Sequence, residues 1–151
     1  MEQSRINLGE AAPQLYAALG ELDGLVVEFG KSVAIDEGFA HLLRLRASQL
    51  NQCAFCVRLH TADALASGES TDRIAVLPAW RESGYFSEQE RAALALIESV
   101  TLIADGQVPE PVYSEAASVL SEDKIAAIEW IGVVINAWNR IAISSRYPVR
   151  P

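Results

Sequence analysis

Cysteine and histidine are nearly missing from this chain, two of each in 151 residues. Basic residues are scarce too: 12 Lys and Arg stand against 20 Asp and Glu, a net charge of −8. Nucleic acid or an anionic membrane surface would call for clustered cations, so both are excluded as partners. Arg44, Arg46 and Arg58 are scattered along apolar segments and read as helix-surface residues with local ion pairs. No apolar run approaches the roughly eighteen residues that span a bilayer. Met1-Glu2-Gln3-Ser4-Arg5 leads into no signal-like segment, so a cytoplasmic location is expected. Convincing strand patterns, internal repeats and low-complexity stretches are absent as well. With half its residues hydrophobic, the chain can bury a real core as one domain over residues 1–151 and is short for two.

All four scarce residues fall within the twenty positions from His41 to His60, reading HLLRLRASQLNQCAFCVRLH. In a helix, Cys53 to Cys56 is an i,i+3 step and Cys56 to His60 an i,i+4 step, which puts two sulfurs and an imidazole on one stripe. Asp63, three residues on, falls beside that stripe and is placed to orient the ring. Leu42 to Leu50 reads as a separate helix, with Asn51-Gln52 the break and Asn51 the expected N-cap of the next. The cysteines then sit in a first helical turn, where free backbone N–H groups and the dipole favour thiolate over thiol. In a reducing compartment a CxxC pair is read as catalytic or metal-binding rather than as a structural staple.

The rest of the chain reads as helix, six or seven segments in an all-α domain. Pro13 suits a first turn, and Leu15, Leu19, Leu22, Val26 and Phe29 follow at helical intervals. Asp36 is expected to cap a helix with Phe39, Leu42, Leu43 and Leu50 inside, and Gly68 to end the cysteine helix. Ser70 or Thr71 starts a short helix stopped at Pro78, and Trp80 anchors the core. Ser87 and Glu90 form a capping box for a helix over 88–104 that buries Leu94, Ile97 and Leu102. A loop over 105–111 and a short helix over 112–119 follow. Ser121 caps a long helix to about Ser144, nearly apolar all round between Ile125 and Ile143. Such a helix is either central to the fold or partly covered by another subunit.

The run LLRLRASQLNQCAFCVRLHTADALASGE resembles the CxxCxxxH segment of the alkylhydroperoxidase D and carboxymuconolactone decarboxylase-like superfamily. The likeness continues through Trp80-Arg81-Glu82, through FSEQERAAL from Phe86 to Leu94, and through Asn136-Ala137-Trp138-Asn139-Arg140. The resemblance implies an AhpD-like helical domain with its core at 37–69, assembled as a homo-oligomer, trimer or hexamer. It implies a hydroperoxide substrate and a thiol or dithiol reductant, or a partner peroxidase, with no cofactor or metal. Its roles are a peroxidatic second cysteine, Cys56, and a more accessible resolving first one, Cys53. Two positions depart from the pattern: His41 stands where the founding peroxidases have a relay glutamate, and Gln52 stands where glycine is usual.

Chemistry leads to the same roles. An attacking thiolate needs a group to hold its proton, and His60 one turn after Cys56 is placed for it, while Cys53 is placed to resolve the sulfenic acid. An imidazole at His41 exchanges protons near neutral pH and can serve a relay. Glu37, one turn earlier, is a carboxylate out of register with the motif. Ser48 faces the same side as His41, and Asn136 and Arg140 are taken as structural. The expected function is thiol-dependent hydroperoxide reduction or disulfide exchange. Three other readings stay open: a non-enzymatic thiol switch, a decarboxylase-type lyase of the same fold, though those enzymes lack the CxxC pair, and a zinc site of His41, Cys53, Cys56 and His60. A thioredoxin-like site would need βαβ units, which the sequence does not offer.

Overall fold

The computed structural model describes residues 4–151. Met1, Glu2 and Gln3, at the start of the terminus read above as lacking a signal, lie outside the described residues. Among those described there are eight α-helices, one 3₁₀ turn and no strand. The expected all-α class holds, with a helix more than the sequence suggested. The extra one is α1, Leu8–Ala11, a single turn held by the Asn7 side chain, which accepts from the N–H groups of Gly9 and Glu10. A helix of four residues carries too little periodicity to be read in advance.

The long elements begin where the capping chemistry places them. Pro13 opens α2, Pro13–Ser32. Asp36 caps α3, Glu37–Leu50, by accepting from Phe39 N–H. Then come α4, Ala54–Ala66, and α5, Thr71–Val76, which is capped by Ser70 and runs into a 3₁₀ turn over Leu77–Ala79. Ser87 and Glu90 close a reciprocal capping box on α6, Glu88–Thr101. This helix stops three residues short of the expected end, and Leu102 is therefore exposed rather than buried. Helix α7, Glu110–Val119, starts inside the segment read as loop, with Pro109 before it. Ser121 caps α8, Glu122–Ser144.

Helix α8 is the central element: α2, α3 and α6 pack on it, and α3 also packs on α4 and α6. The approach of α6 and α8 depends on Gly132, where a Cβ would sit 3.0 Å from Val100 and 3.1 Å from Ile97 side-chain atoms. One buried cluster runs from Val26 through Leu42, Leu45, Leu94 and Ile97 to Ile131 and Ile135. Its polar anchor is Glu98, whose carboxylate accepts from Trp80 Nε1 and Arg46 Nε, each at 2.8 Å, and pairs with Arg81. Arg46 thus pairs across the fold, not locally as read above. Trp80 is buried as expected. No described helix is long and apolar enough to cross a membrane.

Candidate active site

The α3–α4 junction is three residues long, and its geometry sets the site. Helix α3 ends in a Schellman turn: Cys53 N–H donates to Ser48 O at 3.0 Å and Gln52 N–H to Gln49 O at 3.1 Å. The residue that must be left-handed in this turn is Gln52, with φ of 56°. The glycine usual in the resembling family would adopt that conformation without strain. Asn51 does not cap α4 as expected; it is the C-cap of α3. The cap of α4 is Cys53, whose Sγ accepts from Cys56 N–H at 3.4 Å. At the other end, Gly68 at φ 92° closes α4 in a second Schellman turn, as its position predicted.

This junction brings the two sulfurs to 2.7 Å from one another, both as free thiols. Cys53 is 1% exposed and Cys56 3% exposed, so Cys53 is not the more accessible of the two. Cys56 is the one that lines a cavity, about 230 Å³ in volume, with Tyr16, Phe55, Leu59, His60 and Trp138. Its walls are mostly apolar. The ring of Tyr147 closes edge-on against Phe55 at 5.2 Å between centroids.

On the other side of His60 lies a cavity of about 280 Å³, walled by His41, Arg44 and Asp63 together with Asp23, Glu37 and Lys31. The His41 and His60 rings stack at 5.8 Å between centroids. Asp63 Oδ2 lies 3.5 Å from His60 Nδ1 and 3.9 Å from His41 Nδ1. Both ring nitrogens are buried and make no hydrogen bond among the described residues. Asp63 is therefore close enough to influence both rings, but it does not hold either by a hydrogen bond. The mixed zinc set of two sulfurs and two imidazoles does not form: the ligand atoms that gather are those of His41, His60 and Asp63.

Burial governs the charge states here. It pushes the Cys56 thiol up to about 12, helped by its hydrogen bond with Cys53 and opposed by one with Asn139. The expected lowering by the helix start is overridden, because Cys56 has lost nearly all contact with water. Burial, then the charges of Arg44 and the neighbouring His41, bring His60 down to about 3. His41 is lowered by burial and by Arg44, with Asp63 and Glu37 pulling back. The resting site thus pairs a neutral thiol with neutral imidazoles.

Two residues matter here beyond the sequence reading, which placed Arg44 on a helix surface and gave Asn139 no task. Arg44 is not on a helix surface: it is 6% exposed, its side chain makes no hydrogen bond among the described residues, and Asp23 lies 4.0 Å from it. Asn139 is fully buried, donates from Nδ2 to Ser48 Oγ at 3.0 Å and accepts from Asn51 Nδ2 at 2.8 Å. Ser48 accordingly faces Asn139 rather than His41. Asn51 also donates to Asn136 Oδ1 at 2.9 Å, and Arg140 Nη1 donates to the same oxygen at 3.0 Å. Asn136 thereby ties α8 to the α3–α4 junction, and Arg140, one turn on in the same helix, steadies its amide. The signal for Asn139 was a polar residue on the buried face of an apolar helix, a place where polar groups need partners.

Residues 13–99 match the carboxymuconolactone decarboxylase family. The chain is 35% identical over 140 residues to the uncharacterized protein YdfG of Bacillus subtilis (strain 168), covering 93% of this chain and 92% of that one. It superimposes with a TM-score of 0.87 and 36% identity on a crystal structure from Agrobacterium tumefaciens, covering 98% of this chain and all of that one. That protein is of unknown function and is suggested to be the antioxidant defence protein AhpD.

Proposed function

Because this chain belongs to the carboxymuconolactone decarboxylase family, with an AhpD-like fold, we propose that it is a thiol-dependent antioxidant enzyme reducing hydroperoxides through Cys56 and Cys53. The observation that carries the reading is the pair of free sulfurs 2.7 Å apart at the cap of α4, one of them open to a cavity shared with His60.

The reaction begins with Cys56 Sγ attacking the distal oxygen of the hydroperoxide. The O–O bond breaks, sulfur is oxidised to sulfenic acid, and the departing alkoxide takes a proton to leave as the alcohol. Since the resting thiol is neutral, its proton moves to His60 as the S–O bond forms, a general-base step, and not beforehand. His60 then returns the proton to the departing oxygen, with His41 as the second relay imidazole. Cys53 Sγ next attacks Cys56 Sγ, releasing water and leaving a disulfide, which an external dithiol reduces by exchange. Disulfide exchange with a partner peroxidase uses the second half of the same cycle.

The test is steady-state hydroperoxide consumption with dithiol donors. Cys56→Ser abolishes turnover, Cys53→Ser blocks the disulfide, and His41→Glu keeps activity by restoring the carboxylate relay. Unchanged turnover in Cys56→Ser overturns the role given to that residue. The burial of both sulfurs favours one second reading, a thiol switch that opens on oxidation, and single-turnover disulfide formation without sustained peroxide removal identifies it. Assembly with further copies of the chain is part of the proposal. Trp130, Val133 and Ile143 leave a partly apolar exposed face on the otherwise central α8. Light scattering reads the mass directly.

A further inference from the structure

The histidine side of the site carries a chemistry of its own. His41 on α3 and His60 and Asp63 on α4 each present one ligating atom, all within 4.8 Å of one another. Buried polar nitrogens normally find a hydrogen-bond partner, and two that have none, His41 Nδ1 and His60 Nδ1, lie beside one carboxylate oxygen. Neither of them makes a hydrogen bond with Asp63.

We propose that His41, His60 and Asp63 form a binding site for a first-row divalent transition metal. Metal–nitrogen and metal–oxygen bonds of about 2.0–2.2 Å place neighbouring ligand atoms roughly 3–3.5 Å apart in tetrahedral or octahedral sites. The 3.5 and 3.9 Å separations from Asp63 Oδ2 need only small side-chain rotations to meet that geometry. Two imidazoles and one carboxylate are a donor set such metals accept, and three protein ligands leave coordination positions open towards the adjoining cavity of about 280 Å³.

Charge in that cavity is divided. Arg44 and Lys31 oppose a dication, whereas Asp23, Glu37 and Asp63 attract it, three carboxylates against two cations. The wall is therefore net negative, and Arg44 limits the affinity to that of an exchangeable site, well below a closed structural zinc site. Neither sulfur belongs to the ligand group. On the thiol reading above, bound metal withholds His60 from proton transfer and inhibits turnover; the binding itself does not depend on that reading.

Titration of zinc into the full chain by calorimetry tests the site, with the Cys53→Ser/Cys56→Ser double variant as the deciding sample. The expected result is one zinc per chain in both proteins, with affinity falling at least about tenfold in His41→Gln and in Asp63→Asn. Circular dichroism verifies that each variant is folded. Cobalt(II) supplies a second readout that needs no further variant: the double variant shows ligand-field bands, and the wild type shows the same bands without a thiolate-to-cobalt charge-transfer band. Zinc binding that disappears with the cysteines overturns the assignment. So does an unchanged affinity in folded His41→Gln and Asp63→Asn, or no zinc uptake at all.

Discussion

Cys56 donates its backbone N–H to the Sγ of Cys53, 3.4 Å away, so the candidate resolving thiol is also the cap of the helix that carries the candidate nucleophile. Redox state and helix capping are joined in one atom. On the proposed cycle, disulfide formation weakens that sulfur as an acceptor and loosens the first turn of α4.

The joint role separates two substitutions that would otherwise look alike. Cys53→Ser keeps an acceptor at the cap and leaves stability within a few tenths of a kcal/mol, whereas Cys53→Ala costs about 1 kcal/mol. Chemical denaturation of the two reduced variants measures the difference. Equal stabilities would remove the capping role.

Gln52 sits left-handed at φ 56° between the two helices. Replacing it with glycine removes the steric cost of that conformation, and part of the gain is offset by the freer unfolded chain. Gln52→Gly is expected to stabilise the fold by about 0.5–1 kcal/mol, read as a raised denaturation midpoint. A loss of stability would mean that the glutamine side chain has a compensating role.

Acid should weaken the fold already between about pH 7 and pH 5. His60 is held down to about 3 by burial and by the charges of Arg44 and His41, well below its ordinary 6.5. Asp63, the nearest carboxylate, does not reverse this. Between those two values the unfolded chain binds a proton that the folded chain refuses, so stability is present above about pH 6.5 and falls as the pH drops through that window. From near pH 7 to about pH 5 the His60 share is about 2 kcal/mol, with His41, also lowered, adding in the same direction. Denaturant unfolding at the two pH values, compared with His60→Asn, checks the sign: the variant is the less acid-sensitive protein.

Glu98 is a second acid-sensitive group, with its effect beginning at lower pH than that of the histidines. Burial alone would raise its carboxyl, but hydrogen bonds from Trp80, Arg46 and Arg81 outweigh burial and bring it below the usual range. Its contribution is thus present above about pH 4.5 and lost as the pH falls further. Glu98→Ala leaves Arg46 and the Trp80 indole without their acceptor, and a loss of about 3 kcal/mol in thermal or chemical unfolding is expected. Because Glu98 lies away from the sulfurs, thiol reactivity should not change.

Most helices were legible because their ends carry chemistry: Asp36, Ser70, the Ser87–Glu90 box, Ser121 and Gly68 each end or begin a helix where their side chains or backbone freedom satisfy terminal groups. Leu102 misled because apolar periodicity ran past the end of α6. Asn51 misled because a residue between two helices can serve either one, and a sulfur cap is not a usual signal. Within the site, the CxxCxxxH spacing located Cys53, Cys56 and His60 near one another. The charge state was not legible. A position in the first turn argues for thiolate, and only the fold reveals that the residue there is buried. Arg44 and Asn139 were missed for a related reason: whether a polar residue on a helix faces water or the core depends on which neighbours pack against it.

The most direct test treats the reduced protein with a stoichiometric organic hydroperoxide and weighs it by intact-mass spectrometry. The expected result is the loss of two hydrogens in the wild type as Cys53 and Cys56 join, a sulfenic acid trapped on Cys56 in Cys53→Ser, and no modification in Cys56→Ser. A wild-type protein that keeps both thiols while hydroperoxide remains unconsumed would contradict it.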